Sequence, residues 1–121
     1  MEKKPQKLIF LVDDNQHLLD SFSFLINNEG YLTETSRDPK EAIQRIECGL
    51  IYDLLIVDRA MEGMEDGGDE VARISKITNP FVPVMAISAF EDKYNRKCFD
   101  HYLRKPFNVD LMIDHINHVF E

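Results

Sequence analysis

The chain has 121 residues, 44% apolar and 30% charged, which is enough for one domain with a proper core and ordinary for a soluble protein. Its 14 basic against 22 acidic residues leave a net charge of −8, which argues against binding a nucleic-acid backbone. No apolar stretch reaches membrane-spanning length, Met1–Gln6 has no signal-peptide character, and Cys48 and Cys98 show no metal or redox spacing, so the expectation is a cytoplasmic chain with two free thiols and no membrane contact.

Strand-like and helix-like segments alternate from end to end, without linker, repeat or low-complexity stretch. Residues 7–13 read as a first strand, Leu8-Ile9-Phe10-Leu11-Val12 closed by Asp13-Asp14. Leu18, Leu19, Phe22, Leu25 and Ile26 then recur at helical spacing, with Gly30 as the stop. Residues 31–35 form a more polar strand suited to a sheet edge. Ser36 or Asp38 caps the next helix, Pro39 takes its first position, Ala42, Ile43, Ile46 and Leu50 face inward, and Gly49 ends it. The central strand is 53–58, ending in Asp58. A Gly- and acid-rich loop from Met61 to Gly68 leads to a short helix with Val71, Ile74 and Ile77 inside.

A fourth strand, 83–88, ends in Ser88. Residues 91–98 carry only a weak helical pattern, with Phe90, Tyr94 and Cys98 on one side. The fifth strand, 101–104, is short and is followed by Lys105-Pro106. The last helix carries a stripe of Val109, Met112, Ile113, Ile116, Val119 and Phe120 behind an Asn108 cap. Apolar runs of four to six residues suit strands buried on both faces, and five of them alternating with five helices predict an α/β fold with a doubly wound parallel sheet.

In such a sheet the carboxyl ends of the strands share one edge, where ligands bind. Asp13, Asp14, Asp58, Ser88 and Lys105 then converge. Burying unpaired carboxylates costs several kcal/mol each, so an adjacent Asp pair at a strand end points to a hard cation. Mg²⁺ fits, because it needs few protein oxygens and accepts phosphate as a further ligand. Asp58, on the neighbouring strand, is placed to be both ligand and nucleophile; Lys105 would neutralise a transferred phosphoryl group and the Ser88 hydroxyl would donate to it. Singly, each is an ordinary turn, cap or surface residue. Together, at the ends of separate apolar strands, they make a site.

This constellation resembles the response-regulator receiver domain of two-component signalling, over roughly residues 7 to 120. The motifs are Asp13-Asp14, Asp58 with Met61 following, Ser88-Ala89, and Tyr102-Leu103-Arg104-Lys105-Pro106-Phe107. The resemblance implies strand order 2-1-3-4-5 and a single receiver domain over 1–121. It implies phosphorylation at Asp58 by a sensor histidine kinase or phosphotransfer protein, and Mg²⁺ bound by Asp13, Asp14, Asp58 and the Ala60 carbonyl. Lys105 becomes the phosphoryl-binding lysine, Ser88 and Tyr102 the switch pair, and Pro106 a cis-proline. Catalysis is limited to self-phosphorylation from a phosphodonor and slow self-dephosphorylation, since Ala60 and Phe90, two past Asp58 and Ser88, offer no group to orient water. A downstream protein or fused output domain receives the signal, although the chain ends just after its last helix.

The departures from the family pattern fall on signal-relaying surfaces. Glu62 replaces a common proline, and the loop to Gly68 is about two residues longer than usual. The 17 positions from Ser88 to Lys105 imply a shortened or irregular fourth helix, and Phe99-Asp100-His101 stands where a small Gly-Ala pair is usual. The alternatives are a pseudo-receiver that binds a protein without being phosphorylated, a flavodoxin-like cofactor binder, and an aspartate-nucleophile phosphatase. Asp13-Asp14-Asn15 would repel a bare phosphate after the first strand, and the adjacency of the two aspartates counts against the phosphatase. His115 and His118 read as a solvated helix face rather than a metal pair. Glu62, Glu65, Asp66, Asp69 and Glu70 read as a charged loop rather than a calcium site. Arg59 has two open readings, the phosphoryl group or the acidic loop.

Overall fold

The computed structural model describes residues 6–59, 67–88 and 98–121. Five strands, β1 (Leu8–Val12), β2 (Leu32–Ser36), β3 (Leu54–Asp58), β4 (Val84–Ser88) and β5 (His101–Arg104), form one parallel sheet in the order β2-β1-β3-β4-β5. Four helices are described: α1 (Gln16–Asn28), α2 (Pro39–Glu47), α3 (Gly67–Thr78) and α4 (Val109–Val119). This is the predicted doubly wound architecture. Apart from Cys98, the predicted fourth-helix segment, with Phe90 and Tyr94, lies outside the described residues, as do Ala60 and the acids Glu62, Glu65 and Asp66.

Side chains alternate across a strand, so each strand feeds two cores. Ile9, Leu11, Leu54, Ile56, Met85, Ile87 and Leu103 meet α1 and α4 on the first face. Phe10, Val12, Leu55, Val57, Val84 and Ala86 meet α2 and α3 on the second. Every residue of β3 and β4 is buried, whereas β2 is partly exposed at the edge, as its polar sequence requires.

The helix boundaries follow from local chemistry. Asn15 caps α1 by accepting the Leu18 N–H, Asn108 caps α4 by accepting the Leu111 N–H, and Gly30 and Gly49 take positive φ just past α1 and α2. Of the two candidate caps for α2, Asp38 holds the position and accepts the Lys40 N–H, while Ser36 braces the Asp38 backbone. One expectation needs correction: Val71 is buried and Ile74 packs against the core as expected, but Ile77 is 65% exposed, and Ala72 and Ser75 complete the buried face. The helix is also longer than expected, at 12 residues. Its buried stripe lies over the sheet, and Ile77 sits on the flank of the last turn.

Two aspartates set where neighbouring strands begin. Asp53, just before β3, donates its N–H to the Leu8 carbonyl and accepts the Leu8 N–H on Oδ2, at 2.7 and 2.8 Å. Asp100, just before β5, does the same to Val84, both contacts at 2.8 Å.

Candidate functional site

Strands buried on both faces first become polar at their ends, and here those ends share one edge. Asp13 follows β1; its N–H donates to the Ser36 carbonyl (3.1 Å) and its Oδ1 accepts the Asn15 N–H (2.9 Å). Because Asn15 also caps α1, the entry into the helix fixes this carboxylate. Asp58 closes β3 and, like Asp13, is only 3% exposed. Carboxylate oxygens of Asp13, Asp14 and Asp58 all lie within 4.8 Å of one another. Among the described residues this is the only group of three or more His, Cys, Asp or Glu side chains so placed.

The lysine arrives from the turn after β5. Lys105 donates its backbone N–H to the Ser88 carbonyl (2.8 Å), extending the β4–β5 ladder by one step, and its Nζ reaches Asp58 Oδ2 at 2.9 Å. The Lys105–Pro106 peptide is cis. Ser88, the last residue of β4, is buried at the same edge. Tyr102 is not part of the carboxylate cluster: it pairs with Ala86 two residues back from Arg104 and packs on the second face.

Among the described residues, the Lys105 ammonium faces a cluster of three carboxylates. Burial, and after it the charge of Asp58, push the Asp13 carboxyl up to about 6, against the Asn15 N–H and the Lys105 charge. Its Oδ2 is buried with no hydrogen-bond partner among the described residues. An orphaned buried oxygen beside two further carboxylates is what a hard divalent cation satisfies, and three clustered oxygen donors suit Mg²⁺.

Residues 9–117 match the family model of the response regulator receiver domain. The chain belongs to that family. The Transcriptional regulatory protein CpxR homolog of Haemophilus influenzae is 32% identical over 113 residues, covering 89% of this receiver and 48% of the relative. The Nitrogen assimilation regulatory protein NtrX of Azorhizobium caulinodans is 29% identical over 111 residues, 87% of this receiver but 24% of its own length. The chain therefore spans half or less of these two curated relatives. Among solved structures, the response regulator TrrA of Thermotoga maritima, crystallised with Mg(2+)-BeF, superposes with a TM-score of 0.82 at 26% identity, covering 94% of this chain and 99% of that one. The acidic cluster of this receiver fits a phosphoacceptor site.

Of the two readings of Arg59, the structure bears out pairing with the acidic cluster, and other contacts around the site were not read from the sequence. Arg59 forms a two-pronged pair with Asp69, Nε to Oδ1 at 2.7 Å and Nη2 to Oδ2 at 2.8 Å, so Asp69 is a structural partner rather than a solvated acid. Gly68 lies so close to the strand end that a Cβ there would meet the Asp58 carbonyl oxygen at 2.5 Å and Arg59 Cα at 2.8 Å. Phe99 is buried between Arg59 and Tyr102. The only legible signal was a basic residue after Asp58 and an acid opening the next helix. His118 pairs with Glu121 on an exposed helix end, in line with a solvated face.

Proposed function

We propose that this receiver accepts a phosphoryl group on Asp58 from a phosphohistidine of a sensor histidine kinase or phosphotransfer protein, in a Mg²⁺-dependent reaction. The observation that carries the reading is the convergence of three carboxylates and the Lys105 ammonium at one sheet edge. Asp13, Asp14 and Asp58, with the Ala60 carbonyl, are the metal ligands in this reading, and residues 1–121 form a single receiver domain with its core at about 7–120. Mg²⁺, when bound, neutralises charge on the phosphoryl oxygens.

A carboxylate oxygen of Asp58 attacks phosphorus as the bond from phosphorus to the donor imidazole nitrogen breaks. The electron pair leaves with the imidazole. Lys105, already 2.9 Å from Asp58 Oδ2, takes up a phosphoryl oxygen, and the Ser88 hydroxyl donates to another. Drawing Ser88 toward the phosphoryl group opens space for Tyr102, which biases a protein-interaction surface between two states. A downstream protein or a fused output domain reads that surface. Self-phosphorylation and slow self-dephosphorylation are the only catalysis this requires, and a cytoplasmic location with no nucleic-acid contact by this chain goes with it. The pseudo-receiver alternative would leave the clustered carboxylates without a task.

The test is incubation with Mg²⁺ and acetyl phosphate, followed by mass spectrometry to locate the added phosphoryl group. Wild type is expected to carry it on Asp58, and Asp58→Asn to carry none. Equal labelling of Asp58→Asn at another residue would overturn the assignment, and an unlabelled wild type would favour the pseudo-receiver.

A further inference from the structure

Arg59 follows the phosphoacceptor candidate directly, but strand alternation sends the two side chains apart. Asp58 continues the row of Leu54 and Ile56 on the first face, and Arg59 continues that of Leu55 and Val57 on the second. There Arg59 is held in at least three ways among the described residues. Its fork lies on both oxygens of Asp69, in the first turn of α3. Its Cζ stands 5.1 Å from the centroid of Phe99. Its own backbone N–H donates to the Ile87 carbonyl of β4 at 3.0 Å. Phe99 in turn packs on Tyr102 with ring centroids 5.6 Å apart. Asp69, Arg59, Phe99 and Tyr102 are therefore consecutive contacts from the end of β3 to β5, and the Arg59 side chain is only 15% exposed.

From this geometry we infer that Arg59 is a positioning residue for Tyr102. Clamped by Asp69, its guanidinium sets the orientation of the Phe99 ring, and through it that of Tyr102, so that movement of the phosphoacceptor strand is passed across the second face to the β5 edge. The assignment rests on the phosphoacceptor reading and adds to it a residue outside the five-residue site. Arginine suits the task because one planar cation engages a carboxylate with its edge and an aromatic ring with its face. The tight seat of Gly68 against Asp58 and Arg59 keeps the opening of α3, and with it Asp69, beside the same strand end.

The experiment follows Tyr102 ring resonances by NMR in the full chain, with and without Mg²⁺ plus beryllofluoride as phosphoryl mimic. Arg59→Met keeps the apolar stem and loses the cation; Phe99→Leu keeps an apolar side chain and loses the ring face. Without mimic, both are expected to move the Tyr102 ring signals in one direction. The double variant is expected to move them no further than either single one, as for residues acting in series. Arg59→Lys, which keeps a cation but not the fork, is expected to restore part of the wild-type position. With mimic, the Lys105 amide of Arg59→Met should respond as in wild type, while its Tyr102 response falls by about half or more.

Unmoved Tyr102 signals in folded Arg59→Met, or strictly additive shifts in the double variant, would overturn the inference and leave Arg59 as a local staple of α3. If instead no wild-type amide near Asp58 or Lys105 responds to the mimic, the phosphoacceptor reading fails. The mimic-free comparison then still decides whether Arg59 positions Tyr102.

Discussion

At the amino-terminal rim of the sheet, Asp53 and Asp100 each exchange two hydrogen bonds with the first residue of a neighbouring strand. Just inside that rim the buried Tyr52 hydroxyl is paired with Ser75 Oγ at 2.6 Å and receives Asn79 Nδ2 at 2.9 Å. At the carboxyl rim, Asp13 keeps a buried oxygen without a partner among the described residues, and its carboxyl is pushed up to about 6 by burial first and then by Asp58. Both rims place aspartates beside strand ends. One rim uses backbone donors to satisfy them and so sets register; the other packs carboxylates together, an arrangement that the proposed Mg²⁺ site would complete. Satisfied polar groups mark construction, and the unsatisfied one marks chemistry.

The sharpest way to break this contrast is Asp13→Asn. Removing that carboxylate is expected to weaken Mg²⁺ binding at least about tenfold, measured by calorimetry, because a ligand charge is lost. Without metal the same variant is expected to be more stable than wild type, by about 1–2 kcal/mol in urea unfolding near neutral pH, because a raised carboxyl pKa marks a charge that folding disfavours. Unchanged metal affinity, or a loss of metal-free stability, would undo the contrast.

Asp53→Ala is the mirror experiment. It strips the Leu8 N–H of its acceptor, so a loss of about 1–2 kcal/mol is expected with Mg²⁺ affinity unaltered. A change in affinity would mean that the two rims are not independent.

Acidity sharpens the comparison further. The folded-state pKa of Asp13 lies above the ordinary carboxyl value of 3.8, so the folded metal-free chain takes up a proton there as pH falls through about 6. This group therefore adds stability on acidification and withdraws it as pH rises through about 6. In the proposed site Mg²⁺ would compete with that proton. Its upward shift of Tm is expected to be full near about pH 8 and mostly lost near about pH 5, and Asp13→Asn is expected to flatten the dependence. The smallest effect is expected for Tyr52→Phe, about 1 kcal/mol in chemical denaturation with no influence on metal binding, since only the structural hydrogen bonds to Ser75 and from Asn79 are removed.

Much of this was legible in the order of residues. Runs such as Leu54–Val57 and Val84–Ile87 have no polar face, so they belong between two helical layers, and the polar residue that ends each run lies at the strand mouth. The Asn108 cap and the Gly30 and Gly49 stops follow from periodicity and breakers within single segments, and the meeting of Asp13, Asp14, Asp58 and Lys105 follows from parallel strands ending on one edge. What only the tertiary structure decided are the pairings between segments. Nothing near Arg59 in sequence says that its fork lies on Asp69 rather than at the phosphoryl site, or that Phe99 carries its contact onward to Tyr102. Nor does helical spacing show that Ile77 sits outside the stripe covering the sheet. Periodicity reports which side of its own element a residue faces; partners, burial and charge balance depend on distances between elements, and those exist only once the layers have closed.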